Sequence, residues 1–240
     1  MSYTTKILKW ESDFFNKKIG EIHIEGLLKS PIALDSDYNF ELIVVKQDKK
    51  TEVTILGYTQ RYTEEKIVFS KRIEYSESPL LSKAILDTDD LPIKPDLLFN
   101  LAYESGKYSR FKCDAFFKDS EFERLYQAWV INSVNKTFGH KVFYIVDKQM
   151  PIAFATLNLN DSIGQIGLIA VDEQYQGQGL GKQLLTHIEM YCASQHIPTL
   201  NIPTQGQNKN AVGFYKKLGY NIIQREIIQH FWLKQNYDSI

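Results

Sequence analysis

At 240 residues, with 43% hydrophobic and 24% charged side chains, the chain has ordinary globular composition and enough length for one full domain plus a smaller one. A formal net charge of -1 excludes a global basic field that would recruit nucleic acid or anionic membrane, so local dipoles and backbone N–H groups would have to hold any polyanionic ligand. Cys113 and Cys192 form neither a disulfide framework nor a metal-ligand cluster, and no apolar run approaches the ~20 residues needed to cross a bilayer. The opening apolar stretch is broken by Lys9 and Glu11 and lacks the core of a signal peptide. A soluble cytoplasmic protein with reduced thiols and no metal is expected.

In chain order, residues 20–24, 40–45 and 65–70 read as short strands. Residues 75–96 are crowded with Ser76, Ser78, Pro79, Asp87, Asp89, Asp90, Pro92 and Pro95 and read as a linker, which sets the domain boundary at 1–82 and 83–240. Residues 95–106 have a helical face of Leu97, Leu98, Leu101 and Ala102. A second helix over 120–135 carries Phe122, Leu125, Tyr126, Trp129 and Val130. Strands over 141–146, 152–159 and 163–171 follow, with turns at 147–149 and 160–162. A helix over 179–195, a strand over 199–204, a helix over 208–218 stopped by Gly219, and a strand through 227–233 complete the chain. One internal echo stands out: Leu56-Gly57-Tyr58 and then a strand, against Leu218-Gly219-Tyr220 and then a strand.

The segment that carries chemistry is Gln174-Tyr175-Gln176-Gly177-Gln178-Gly179-Leu180-Gly181, between a strand and a helix. Glycines at alternate positions let backbone N–H groups converge on an anion, and the helix N-terminus adds about half a positive charge. The spacing G-x-G-x-G is not the dinucleotide fingerprint G-x-G-x-x-G, and no Lys-Ser/Thr pair completes a Walker loop.

Gln-x-x-Gly-x-Gly at 174–179 resembles the coenzyme A signature of the GNAT acetyltransferase superfamily. Downstream, Asn208, Ala211 and Tyr215, followed by Leu218-Gly219-Tyr220, resemble that superfamily's Asn-x-x-Ala-x-x-x-Tyr and Leu-Gly-aromatic element. The resemblance implies an α/β (mixed α+β) GNAT fold with a central mixed, splayed sheet flanked by helices. It implies acetyl-CoA as co-substrate, held by Leu168, Ile169, Ala170 and Val171 on one splayed strand, by Gln176, Gly177, Gln178, Gly179, Leu180, Gly181 and Lys182 of the turn and helix start, and by Asn208, Ala211 and Tyr215. A backbone N–H near Ile169–Val171 would stabilise the oxyanion, and Tyr215 would protonate the departing sulfur. No general base stands out.

A narrower resemblance covers much of the chain. Lys9-Trp10-Glu11-Ser12-Asp13-Phe14-Phe15, Tyr108-Ser109-Arg110-Phe111, Tyr126-x-x-Trp129 and Phe231-Trp232-Leu233-Lys234 are similar to segments of the dTDP-fucosamine acetyltransferase (WecD) family, with a departure at Lys112-Cys113-Asp114. It implies a truncated GNAT-like domain at 1–82 before a complete one at 83–240. It also implies an acceptor amine on a nucleotide-linked amino-dideoxyhexose, with Ser109, Arg110 and Phe111 at the substrate site; Arg110 suits a diphosphate. Another small-molecule amine, a protein N-terminus, or a non-catalytic acyl-CoA-binding module are the alternatives, and homodimerisation is left open.

Overall fold

The computed structural model describes residues 3–26, 30–35, 37–74, 84–137, 141–160 and 162–234. Its elements are β1 (Tyr3–Ile7), α1 (Lys9–Phe15), β2 (Ile19–Ile24), β3 (Leu42–Gln47), β4 (Tyr58–Arg72), β5 (Leu86–Asp87), a 3-10 turn (Pro95–Leu98), α2 (Phe99–Ser105), α3 (Arg110–Cys113), α4 (Asp119–Val134), β6 (Lys141–Asp147), β7 (Met150–Leu159), β8 (Ile163–Val171), a 3-10 turn (Glu173–Tyr175), α5 (Leu180–Ser194), β9 (Thr199–Gln205), α6 (Lys209–Lys217) and β10 (Asn221–Leu233). Contacts divide the chain into two compact units. One is Met1–Ile67 with Gln205–Gln207 and Gln224–Ile240; the other is Val68–Thr204 with Asn208–Ile223.

In the first unit, β1 and β2 are antiparallel, β2 and β3 parallel, and β3 and β10 antiparallel. Alternation puts Ile22, Ile24, Ile43, Val45 and Phe231 on one face, where they pack with Phe40, Ile32, Ile55 and Tyr58. The opposite face buries a charge: Glu21 holds Lys6 at 2.8 Å and Lys46 at 2.6 Å. The strand expected over 65–70 is the last part of the much longer β4.

In the second unit, residues 68–72 of β4 lie beside β9, followed by β8, β7, β6 and β5. β5–β6, β6–β7 and β7–β8 are antiparallel, and β8–β9 parallel. α5 packs on β6, β7 and β8, while α2 packs on β8 and α4. The core between them is built from Leu98, Leu101, Phe122, Leu125, Phe143, Phe154, Leu157, Leu184, Ile188 and Leu200, all buried.

The linker reading of 75–96 needs correcting over its second half; residues 75–83 lie outside the described residues. Leu86 and Asp87 pair with Tyr144 and Phe143, so the segment is part of the sheet. Asp87 is buried and accepts Lys141 Nζ at 2.7 Å and the N–H groups of Asp89 and Asp90. Burial alone would raise the Asp87 pKa, but these donors outweigh it and hold the carboxyl below the usual range. The ammonium of Lys141 lies 4.7 Å from the centre of the Tyr191 ring, which ties the same ion pair to α5.

Among the described residues no helix is long and apolar enough to cross a membrane, and no group of three or more His, Cys, Asp or Glu could hold a metal ion.

Candidate active site

The site begins where β8 and β9 part. Their parallel pairing runs Ile163↔Thr199, Gly164↔Leu200 and Gln165↔Asn201 and then stops, although β8 continues to Val171 and β9 to Gln205. Beyond the fork the facing backbone groups of the two strands are released from each other. Pro203 fits this stretch because it has no N–H to leave unpaired. At the fork itself, Asn201 Oδ1 is buried without a hydrogen-bond partner.

Above the fork, Asp172 accepts Gln174 N–H at 2.9 Å and starts the short 3-10 turn. Gln176 then anchors the loop, its Nε2 donating to Val171 O at 3.0 Å, and Tyr175 OH donates to Asp147 at 2.7 Å. Gly177 and Gly179 sit at φ +78° and +82°, a left-handed backbone that side-chain-bearing residues adopt only with strain. These two glycines turn the chain so that α5 starts with no side-chain cap and no acid in its first turn. The N–H groups of Leu180, Gly181 and Lys182 have no carbonyl one turn back, and Gln183 is the first to find one, on Gly179. Gly181 serves packing: a Cβ there would stand 3.3 Å from Phe214 and 3.7 Å from Val171, so its absence lets α5, α6 and β8 converge.

α6 begins at Asn208, whose Oδ1 caps Ala211 N–H at 3.1 Å. One turn on, Tyr215 is 4% exposed and packs on Phe69, Phe214 and Tyr220 at ring-centre distances of 5.4, 5.5 and 6.2 Å. Burial pushes its phenol well above the ordinary value, so it stays protonated. Tyr220 OH donates to Glu189 at 2.7 Å, and Lys71 completes that buttress at 2.8 Å.

The residues expected at the acceptor site lie after α2. Ser109 is 4% exposed with an unpartnered Oγ, Arg110 stacks its guanidinium 4.8 Å from the Phe111 ring centre, and Phe111 packs on Phe117 and Trp129. Lys107, two residues before Ser109, pairs with Glu104 and reaches Glu173 of the glycine turn at 3.7 Å, which brings this segment to the turn. Sequence reading missed Asn201 and the Lys107–Glu173 contact. Asn201 alternates with apolar neighbours as any solvent-facing strand residue does; Pro203 was the available signal that pairing fails nearby.

Residues 103–220 match the family model described as the acetyltransferase (GNAT) family. These residues take the fold of that family. The chain is 32% identical over 81 residues to a peptidyl-lysine N-acetyltransferase (YjaB) of Salmonella typhimurium, a match spanning 34% of this chain and 50% of that protein. It is 40% identical over 53 residues to the ribosomal protein bS18-alanine N-acetyltransferase of Escherichia coli, spanning 22% and 36%. The chain therefore covers half or less of each of these relatives. A putative GNAT acetyltransferase of Novosphingobium aromaticivorans superposes with a TM-score of 0.52 at 11% identity, covering 80% of this chain and 74% of that one, and shares the fold. The GNAT family uses acetyl-CoA, and in this chain α5 starts uncapped and free of acids after two left-handed glycines.

Proposed function

We propose that the protein is an acetyl-CoA-dependent N-acetyltransferase that transfers the acetyl group directly to a primary amine. The observation carrying this reading is the fork: β8 and β9 separate after Gln165 and Asn201, directly below an uncapped helix start. When bound, acetyl-CoA supplies an activated acetyl thioester. The N–H groups of Leu180, Gly181 and Lys182 would hold its diphosphate, and the released edges of β8 and β9 would hydrogen-bond its pantetheine arm. A backbone N–H of residues 169–171 would face the developing oxyanion. As the N–C bond forms and the C–S bond breaks, Tyr215 would give its proton to the sulfur and be reprotonated from solvent, which takes up the proton the amine loses. A phenol held this far up is a weak acid, so its transfer has to accompany C–S cleavage rather than precede it.

For the acceptor, the reading supported by the resemblance through Ser109, Arg110 and Phe111 is a nucleotide-linked amino-dideoxyhexose. The unpartnered buried hydroxyl of Ser109 is the observation that favours a polar ligand there. A peptide amine is the second reading, favoured by the names of the two relatives. In the same frame, residues 1–82 would be a truncated GNAT-like copy. Its support is the echo: Gly57 and Gly219 both take left-handed backbone, at φ +85° and +84°, before a buried tyrosine.

The test is thiol release from acetyl-CoA with a panel of dTDP- and UDP-amino sugars, simple amines and lysine- or alanine-terminated peptides. Turnover confined to peptides overturns the sugar reading and keeps the transferase. No turnover with any amine, alongside tight acetyl-CoA binding, favours a non-catalytic acyl-CoA module. Tyr215→Phe should lower kcat by about 100-fold with acetyl-CoA affinity unchanged; an unaltered rate removes Tyr215 as the acid.

A further inference from the structure

The fork has a cause one strand away. β7 and β8 pair Ala155 with Ile169 and Leu157 with Ile166, so a single β7 residue, Thr156, stands opposite two on β8, Gly167 and Leu168. Such a bulge bends its strand, adds twist and leaves one residue out of the ladder. Here the displaced N–H belongs to Leu168, which is buried and cannot reach water. Thr156 Oγ1 accepts it at 2.9 Å. The threonine is itself only 4% exposed, so its hydroxyl is a built-in replacement for the missing carbonyl. Gly167 makes the arrangement possible, because a Cβ there would lie 2.7 Å from that same oxygen.

The bulge lies at the point where β8 leaves β9. The last β8–β9 pair is Gln165↔Asn201, two residues before Gly167, and the stretch beyond it carries residues 169–171 to the cleft. In a strand, a one-residue change of register turns every following group to the opposite side. Losing the bulge would therefore re-aim the backbone N–H groups of 169–171 and draw β8 back toward regular pairing.

We propose that Thr156 is a positioning residue of the acetyl-transfer site, its hydroxyl holding the β8 bulge and so the cleft between β8 and β9. This rests on the acetyl-CoA reading of that cleft. Thr156 touches neither coenzyme nor acceptor; it acts through Leu168 and the strand that follows.

Thr156→Val removes the hydroxyl at nearly constant shape, and Thr156→Ser keeps it. Three quantities are measured on the full chain: amide exchange of Leu168 by NMR, coenzyme A affinity by calorimetry, and kcat with the best amine of the panel. In Thr156→Val, Leu168 should exchange at least tenfold faster, coenzyme A should bind about tenfold more weakly and kcat should fall about tenfold. Thr156→Ser should stay within twofold of the wild type in all three. If Thr156→Val loses thermal stability but keeps coenzyme affinity and kcat within twofold, the threonine is only structural and the proposal falls. It also falls if serine does not rescue. A wild-type protein that binds no coenzyme A overturns the acetyl-CoA reading instead, and Leu168 exchange in the two variants still decides whether the hydroxyl holds the bulge.

Discussion

The two ends of α5 have the same backbone and opposite designs. At the start, glycine stands at the cap position, no side chain satisfies the first N–H groups and no acid offsets the helix dipole. At the far end the closing hydrogen bonds are present. Gln195 N–H bonds to Tyr191 and Cys192 carbonyls, Ile197 N–H returns to Cys192 O at 2.9 Å, and His196 takes the left-handed φ of +58° that such an ending requires. From mid-helix toward this end His187, Ile188 and Cys192 are buried, and His187 and Tyr191 stand near the Asp87–Lys141 pair. One end leaves its first N–H groups without partners; the other is closed by hydrogen bonds. The contrast locates function better than residue type does, since a glycine cap and a buried histidine are each common alone.

The largest effect that would test this division is on stability. Lys141→Met leaves Asp87 buried without its cation and should cost about 3 kcal/mol, read as a lower urea midpoint. Coenzyme A affinity should hold, and a loss beyond threefold would mean that the two ends are not independent. Next comes Lys182→Glu in the first turn. A carboxylate there favours the bare helix by a few tenths of a kcal/mol while repelling a diphosphate, roughly tenfold in affinity. The signature is opposite signs, a slightly raised melting temperature with weakened coenzyme binding; movement in the same direction breaks the comparison.

Smaller is the acid response of the sealed end. Burial holds His187 below its ordinary pKa, with Asp87 pulling upward and Lys141 downward. The unfolded chain therefore takes the proton first, so the stability from neutral His187 is present above about pH 6.5 and is lost as pH falls below it. Asp87, held low, contributes above the ordinary carboxylate range and loses that contribution as pH falls through its folded value. The urea midpoint should decline in two stages, and His187→Gln should abolish only the first. Last, burial pushes the Cys192 thiol up to about 12, whereas Cys113 is exposed. Iodoacetamide at neutral pH should label Cys113 alone in the native protein, as read by peptide mass; labelling of Cys192 would show that the sealed end opens.

Much of the second unit was legible because its signals are local. Runs set off by polar turns marked β6 to β8, an apolar stripe marked α4 and α5, and two glycines marked a turn whose φ values only glycine takes easily. What the sequence hid depends on partners far along the chain. Asp87, Asp89 and Asp90 read as a solvated linker because nothing local announces Lys141, 54 residues on. The first half of β4, with Thr59, Gln60, Arg61 and Thr63, lacks the apolar run that marked residues 65–70. The bulge at Gly167 looks like ordinary alternation until Thr156 is set opposite it. The short α3 was missed as well, four residues being too few for any period to show.

One element bears on how the second unit could be prepared by itself. Residues 68–72 of β4 adjoin β9, and Ile73 N–H reaches Pro198 O at 2.8 Å. A fragment cut at the expected boundary, 83–240, would omit that strand and leave β9 as a bare edge with a row of unsatisfied donors and acceptors. Such an edge recruits other chains, so the fragment should self-associate more strongly than one retaining residues 58–82, which keeps β9 covered.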